Sequence, residues 1–112
     1  MSQEKLCLIT GANSGIGLAK ATALATQGHH VVMVCRSEEK ANVAIESVVE
    51  AGGRRPDLIL GDLSLIADTK RVAREFLATY DRLDVLINNA GGYFPSRIET
   101  EEGLELNFAL NH

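Results

Sequence analysis

The chain has 112 residues and a net charge of −4 at pH 7, and 46% of its residues are hydrophobic and 23% charged. This length fits one globular domain. The negative charge gives no electrostatic reason to expect nucleic acid or an anionic membrane as a partner. No apolar run approaches the roughly 20 residues of a membrane-spanning helix, and the N-terminus lacks the pattern of a signal peptide. We therefore expect a cytoplasmic protein without a membrane span.

The two cysteines, Cys7 and Cys35, both lie inside apolar runs of the sequence. We expect them to be buried free thiols of a protein in a reducing compartment. No Cys-x-x-Cys pair or Cys/His cluster suggests a metal site.

Strand patterns and helix patterns alternate along the chain. Apolar, partly β-branched runs predict strands at 5–10, 30–36, 57–62 and 83–89. Helical spacing and capping residues predict a helix over 15–28, one from the N-cap Ser37 to Gly52, one from the N-cap Ser64, and one from Thr100 to the last residue. The third helix would carry Leu65, Val72, Phe76 and Tyr80 near one face, and residues 90–99 are predicted to form a loop.

This alternation predicts an α/β fold with a parallel sheet and right-handed crossovers. The strands are almost continuously apolar, which indicates that helices cover both faces of the sheet. The expected strand order is 3-2-1-4, with the fourth strand at an open edge, where the unpaired edge of the apolar stretch "DVLI" is a hazard for aggregation or pairing.

The stretch "TGANSGIG" (10–17) joins the first strand to the first helix. In a doubly wound fold this turn lies at the carboxyl end of the sheet, where the helix N-terminus can bind a pyrophosphate. Gly11 would permit the turn, Gly15 the approach of a phosphate, and Gly17 close packing of the helix on the strand. The spacing differs from the G-x-G-x-x-G fingerprint, so a tight turn without a ligand is the alternative from this motif by itself.

Four stretches, in order, resemble motifs of the short-chain dehydrogenase/reductase family. "TGANSGIG" resembles its TGxxxGxG motif, "GDLS" (61–64) its Asp-Leu after the third strand, and "NNAG" (88–91) its signature after the fourth. "LELNFALNH" (104–112) is similar to the segment around the catalytic Asn, especially in retinol dehydrogenase-like members. The resemblance implies a Rossmann-type doubly wound parallel sheet, truncated after the fourth strand and the start of the following helix.

The resemblance also implies which residues bind the cofactor. Asp62 would accept a hydrogen bond from the adenine amino group, and it could equally cap a helix. In the glycine turn, after the third strand and after the fourth, the implied cofactor-binding residues are Gly11, Asn13, Ser14, Gly15, Ile16, Gly17, Asp62, Leu63, Asn89, Ala90 and Gly91. Two turn-forming asparagines without a ligand contact are the alternative for Asn88 and Asn89.

The end of the second strand indicates which dinucleotide is bound. In this fold an acidic residue about 20 positions past the glycines commonly binds the ribose hydroxyls, but here the position carries Arg36, followed by Ser37, with Lys40 one turn further on. A guanidinium binds a 2′-phosphate that a carboxylate would repel. These residues favour NADP(H); the alternative is that Arg36 only extends into solvent and Ser37 only caps a helix.

Members of this family catalyse with Asn, Ser, Tyr and Lys, of which only Asn111 has a matching position here. Tyr80 is followed four residues later by Asp84, and Tyr93 by Arg97, so neither forms the Tyr-x-x-x-Lys motif. We expect residues 1–112 to be the N-terminal NADP(H)-binding part of a single Rossmann-fold domain whose catalytic half is absent. The chain by itself should then be inactive.

The expected function of the complete enzyme is NADP(H)-dependent hydride transfer between NADPH and a small-molecule carbonyl or secondary alcohol. A homo-oligomer is compatible with this prediction. One alternative is a catalytically inactive NADP(H)-binding or heteromer-forming module that pairs through its open edge. Another is a non-functional remnant that does not fold stably.

Overall fold

The computed structural model describes residues 4–13 and 15–88, together with the backbone of two short strands at 97–99 and 105–107. Strands and helices alternate over residues 6–88, as predicted. The strands are β1 (Leu6–Thr10), β2 (His30–Cys35), β3 (Asp57–Leu60), β4 (Val85–Asn88), β5 (Arg97–Glu99) and β6 (Glu105–Asn107). The helices are α1 (Gly15–Thr26), α2 (Glu38–Glu50) and α3 (Ile66–Thr79).

The strands β1 to β4 form one parallel sheet in the order β3-β2-β1-β4. The predicted strand order is therefore confirmed. Leu8 of β1 lies beside Val32 of β2 and Leu86 of β4. The chain winds outward from β1 to β3 and then crosses to the other side of β1. The carboxyl ends of β1 and β4 therefore flank the point where the winding direction reverses, which is where open α/β sheets bind ligands.

Helices cover both faces of this sheet, as the apolar strands predicted. Alternate residues of each strand point to opposite faces. On one face Ile9, Met33 and Ile87 pack with α1 and α2, and on the other Leu8, Val34 and Leu86 pack with Val72 and Phe76 of α3. The sheet is therefore doubly wound, and burial of these apolar side chains is the main favourable contribution to its stability.

The start of α2 is as predicted, but the start of α3 is not. Ser37 is the N-cap of α2, and its hydroxyl accepts a hydrogen bond from Lys40 N at 3.3 Å. The predicted N-cap Ser64 is wrong, because α3 begins after Leu65, which makes no side-chain cap bond. The Ser64 hydroxyl instead donates to the Asp62 carboxylate.

The predicted apolar face of α3 is correct at its centre. Val72 and Phe76 are buried, and Tyr80 packs half-buried beside them. Leu65 does not belong to this face: it precedes the helix and is 55% exposed.

The predicted helix from Thr100 to the last residue is wrong over β6, and the predicted loop 90–99 is wrong over β5. These strands pair antiparallel, with Ile98 opposite Leu106. Five residues separate them, including Gly103. That spacing is typical of a hairpin, and glycine is a poor helix former, so the Thr-Glu-Glu capping signal does not make residues 105–107 helical.

Cys7 and Cys35 are both buried and free, as predicted. Within the described part of the chain, no helix is both long enough and apolar enough to cross a membrane. Across the same residues, no group of three or more His, Cys, Asp or Glu side chains could hold a metal ion.

Candidate nucleotide-binding site

The turn between β1 and α1 is built from left-handed glycines and is attached to β2. Gly11 has φ 62° and Gly15 has φ 59°, a region that L side chains rarely adopt. Gly11 N donates to Val34 O at 3.0 Å. Burial raises the pKa of the Cys35 thiol, although a hydrogen bond with the Ala12 backbone opposes this effect. The hydrogen bond from Gly11 N to Val34 O therefore attaches the turn to the end of β2.

Gly17 lets the first turn of α1 pack directly on this loop. A Cβ atom at Gly17 would lie 2.4 Å from Gly11 O and 3.1 Å from Ala12 Cα, so any side chain would push the two segments apart. Gly17 thus has a packing role, as predicted, but it packs the helix on the turn after β1 and not on the strand itself.

The N-terminus of α1 is suited to an anion. The first N–H groups of a helix have no partner within it, and the helix dipole is positive there. The first turn of α1 contains no acidic residue, whereas α2 begins with Glu38 and Glu39 and α3 carries Asp68. The positive end of α1 is therefore not neutralised by its own sequence, which fits a pyrophosphate.

The remaining predicted residues of the turn differ in exposure. Ile16 is 69% exposed, although it is a large apolar side chain at the helix start. Asn13 is half-buried. Ser14 lies outside the described residues. Contact of these three residues with a cofactor stays a prediction.

Basic side chains lie at the carboxyl end of β2. Arg36 directly follows the strand, and both Arg36 and Lys40 are exposed. Among the residues that the structure describes, Arg36 forms no ion pair with a carboxylate. Ser37 is a helix cap, as one interpretation required, but its hydroxyl only accepts in that bond and its hydrogen can still be donated.

Asp62 lies on the neighbouring β3–α3 turn, close enough to Arg36 to interact with its charge. Asp62 Oδ1 accepts from Ser64 N at 3.0 Å and from Ser64 Oγ at 2.6 Å. These hydrogen bonds and, less strongly, the Arg36 charge hold the pKa of Asp62 below its ordinary value. Asp62 is therefore a carboxylate at neutral pH and can accept a hydrogen bond from an amino group.

Leu63 is 5% exposed and belongs to the core cluster beneath α3. Its predicted packing near an adenine ring therefore stays a prediction, since its side chain is largely used within the core.

A polar contact closes the point where the winding of the sheet reverses. The Thr10 hydroxyl donates to Asn88 Oδ1 at 2.8 Å, linking the ends of β1 and β4. Sequence reasoning did not single out Thr10, although a buried threonine at the end of an apolar strand is a recognisable signal. The predicted residues Asn89, Ala90, Gly91 and Asn111 lie outside the described residues.

Sequence reasoning also missed the residues that hold the β3–α3 turn. Gly61 packs so closely that a Cβ would lie 2.3 Å from Val72 Cγ2. Asp68 and Arg71 bind the backbone on either side of Gly61. An Asp-x-x-Arg pair at a helix start is the sequence signal, but its partners are backbone atoms, which no residue pattern identifies.

Tyr80 follows α3 and lies where β2 and β3 begin, at the end of the sheet opposite the glycine turn. Its hydroxyl donates to Asp57 Oδ2 at 2.5 Å, and the same oxygen is 2.7 Å from His30 Nε2. Asp57 and His30 are the first residues of β3 and β2. Burial and the Asp57 carboxylate raise the pKa of Tyr80. Tyr80 is thus far from the glycine turn and is held as a neutral phenol.

The doubly wound parallel sheet and its glycine turn define an α/β protein of the Rossmann type. A model of the family described as "short chain dehydrogenase" matches residues 5–110. The chain belongs to the short-chain dehydrogenase/reductase family, as the sequence motifs indicated.

Individual relatives agree with this assignment. Retinol dehydrogenase 14 of Mus musculus is 40% identical over 96% of this chain, which spans 36% of that protein. The crystal structure of a metagenomic short-chain oxidoreductase in complex with NADP is 38% identical, with a TM-score of 0.70 over 78% of this chain and 39% of that one. A variant of actinorhodin polyketide ketoreductase, crystallised with NADPH, is 32% identical, with a TM-score of 0.70 over 81% of this chain and 35% of that one. The chain thus spans little more than a third of these proteins.

Proposed function

We propose that residues 1–112 are the NADP(H)-binding part of a short-chain dehydrogenase/reductase. The observation that carries this proposal is the cradle formed by Gly11 and Gly17 at the acid-free N-terminus of α1. Gly17 lets the start of α1 pack against Gly11, and a Cβ built at Gly15 meets no atom within 4 Å, so the helix N-terminus is open to a pyrophosphate. The solved relatives that contain NADP or NADPH support the same cofactor class.

The choice of NADP(H) over NAD(H) rests on Arg36. Its guanidinium, at the end of β2, is exposed and forms no ion pair among the described residues. It would grip the 2′-phosphate, with Ser37 donating a hydroxyl and Lys40 adding charge. Asp62 would accept from the adenine amino group. Asn13, Ser14, Ile16, Leu63, Asn89, Ala90 and Gly91 complete the proposed contacts.

In the complete enzyme the reaction would interconvert a small-molecule carbonyl and a secondary alcohol. When bound, the nicotinamide cofactor supplies or accepts the hydride. The names of relatives, a retinol dehydrogenase and a polyketide ketoreductase, support this substrate class. Asn111 is the one proposed catalytic residue.

The 112-residue chain should show no turnover, because no Tyr-x-x-x-Lys motif lies within it. The position of Tyr80, bonded to Asp57 at the far edge of the sheet, supports this proposal. Measurable oxidation of NADPH by the purified chain with carbonyl substrates would contradict it. The cytoplasmic location and the homo-oligomeric state stay predictions.

The test is a calorimetric titration of the purified chain with NADPH and then with NADH. We expect tighter binding of NADPH, and we expect Arg36→Asp to weaken it by about 10- to 100-fold, since a charge-assisted hydrogen bond contributes roughly 1.5–3 kcal/mol. The matched control is Arg74→Asp, which makes the same charge change on the exposed side of α3.

A sample that melts cooperatively yet binds neither nucleotide would refute the proposal. Equal binding of NADPH and NADH would refute the choice of NADP(H).

The second candidate function is an inactive NADP(H)-binding or heteromer-forming module. The observation in its favour is that β4 lies at an edge of the four-stranded sheet and can accept another strand. Native mass spectrometry that detects only monomers, at concentrations where nucleotide binds, would remove the heteromer-forming version.

A further inference from the structure

Two side chains of α3 bind the backbone of the turn that carries Asp62. Asp68 Oδ2 accepts from Asp62 N, and Asp68 Oδ1 accepts from Arg71 Nε at 2.9 Å. Arg71 Nη2 donates to Leu60 O at 2.6 Å. One linked pair therefore holds the backbone on both sides of Gly61.

These contacts satisfy backbone groups at the outer edge of β3, which is the edge strand of the described sheet. Gly61 N donates to Cys35 O at 3.0 Å, so Gly61 faces β2. Because backbone groups alternate in direction along a strand, Leu60 O and Asp62 N face away from β2, on the outer edge of the sheet. Asp68 supplies the acceptor and Arg71 the donor that a further strand would provide there.

The pair is itself fixed on the surface of α3. Asp68 and Arg71 are three residues apart, and Glu75, four residues beyond Arg71, also binds the guanidinium. The three side chains are 26%, 45% and 52% exposed. The network is thus a surface arrangement above a buried helix face, and its removal leaves the core formed by Val72 and Phe76 in place.

The pair and the Ser64 hydroxyl constrain different parts of Asp62. Ser64 holds Oδ1, whereas Asp68 holds the main-chain N–H. Within the described part of the chain, Asp62 Oδ2 takes no hydrogen bond. With the backbone and one oxygen fixed, the orientation of the carboxylate is constrained, while its second oxygen stays available to a ligand.

We propose that Asp68 and Arg71 are positioning residues: by holding the backbone at the outer edge of β3 they aim the Asp62 carboxylate at the adenine of the bound dinucleotide and so set the affinity for the adenosine half of the cofactor. This inference rests on the proposed function, because it takes Asp62 as the adenine ligand. Neither positioning residue touches the cofactor itself.

The test uses adenosine 2′,5′-bisphosphate, the adenosine half of NADP, titrated into the full 112-residue chain. We expect Asp68→Ala to weaken its binding about tenfold, the scale of one charge-assisted hydrogen bond. Asp68→Asn keeps an acceptor for Asp62 N and should weaken binding less. The matched control Lys70→Ala, at an exposed position of the same helix, should leave the Kd unchanged.

A double-mutant cycle separates positioning from a general structural role. If Asp68 acts through Asp62, Asp68→Ala should change the Kd by less than about twofold in an Asp62→Ala background. Additive losses would overturn the inference.

The preference of the chain for adenine over another base in the nucleotide provides a second measurement. The hypoxanthine analogue of NADP lacks the amino group that Asp62 would accept from, so the wild-type preference for adenine should shrink in Asp68→Ala. An equal loss for both bases would overturn the inference. The Kd of every variant is measured at a temperature below its melting transition, which is determined by circular dichroism.

The outcomes distinguish failure of the proposed function from failure of this inference alone. Failure of the folded wild-type chain to bind adenosine 2′,5′-bisphosphate would overturn the proposed function and this inference with it. Wild-type binding with an unchanged Kd in Asp68→Ala and Arg71→Ala would overturn only this inference.

Discussion

At the scale of single residues, the site depends most on the absence of a Cβ atom at Gly17. Gly11 O occupies the space that a Cβ at Gly17 would need. The obstacle is backbone, so it cannot rotate away as a side chain could. The glycine spacing was readable from the sequence, whereas the identity of the obstructing atom needed the structure.

We predict that Gly17→Ala lowers the free energy of unfolding by about 1–3 kcal/mol, the range for overpacking a close contact. It should also abolish detectable NADPH binding, because the start of α1 must move away from the turn. Thermal melts and calorimetric titration measure the two effects. The control is Ala23→Gly. Ala23 is an exposed residue of α1, so this change destabilises the helix by about 1 kcal/mol without contacting the turn. If Ala23→Gly weakened binding as much, general instability and not the cradle would be responsible.

At the scale of secondary structure elements, Ser37 serves α2 and the candidate site together. Its hydroxyl accepts from Lys40 N and thereby satisfies one of the unpaired donors at the helix start. Local signals of this kind were sufficient to predict α2. They were not sufficient for α3, where the Asp62 carboxylate binds the Ser64 hydroxyl, nor for β6, where pairing with β5 overrides the Thr100 capping signal. Long-range partners decide such cases, and a single sequence does not display them.

We predict that Ser37→Ala lowers the free energy of unfolding by about 1 kcal/mol through loss of the cap. Ser37→Asp should keep the stability, because Asp is also a good N-cap, yet weaken NADPH binding relative to NADH by repelling the 2′-phosphate. Chemical denaturation and titration with both nucleotides test this pair. Ser47→Ala, on the exposed side of the same helix, is the control. Unchanged NADPH preference in Ser37→Asp would mean that Ser37 only caps the helix.

At the scale of the whole molecule, three side chains, Asp57, His30 and Tyr80, join the amino ends of β2 and β3 to the end of α3. We call this cluster the clasp. Asp57 joins β3 to His30 of β2 and to Tyr80 after α3. Burial raises the pKa of Asp57, but the hydrogen bonds from Tyr80 and His30, with the charges of His30 and Arg54, outweigh it and leave this pKa below its ordinary value. The sequence predicted the strands that the clasp joins, but the three residues are far apart in the chain and their meeting was not predictable.

Since the folded pKa of Asp57 is below the unfolded one, its contribution to stability is present above the unfolded pKa of about 4. It is lost as the pH falls through the folded pKa. We predict that Asp57→Asn lowers the free energy of unfolding by about 1 kcal/mol at neutral pH, a modest value because the side chain is half exposed. The difference from wild type should vanish near pH 2. Melts across this range measure it, with the exposed Asp81→Asn as the control. A constant difference at all pH values would contradict the clasp.

The central position of β1 has a consequence for synthesis of the protein. Cys7 of β1 pairs with Val31, made 24 residues later, and with Val85, made 78 residues later. At a translation rate of about 5–20 residues per second, β2 follows within roughly 5 s, whereas β4 follows only after roughly 4–16 s. Until β4 is made, the apolar stretch "LCLI" has one edge without a strand partner. On the ribosome, this unpaired edge of the nascent chain is therefore prone to aggregation and is a site that a chaperone would protect.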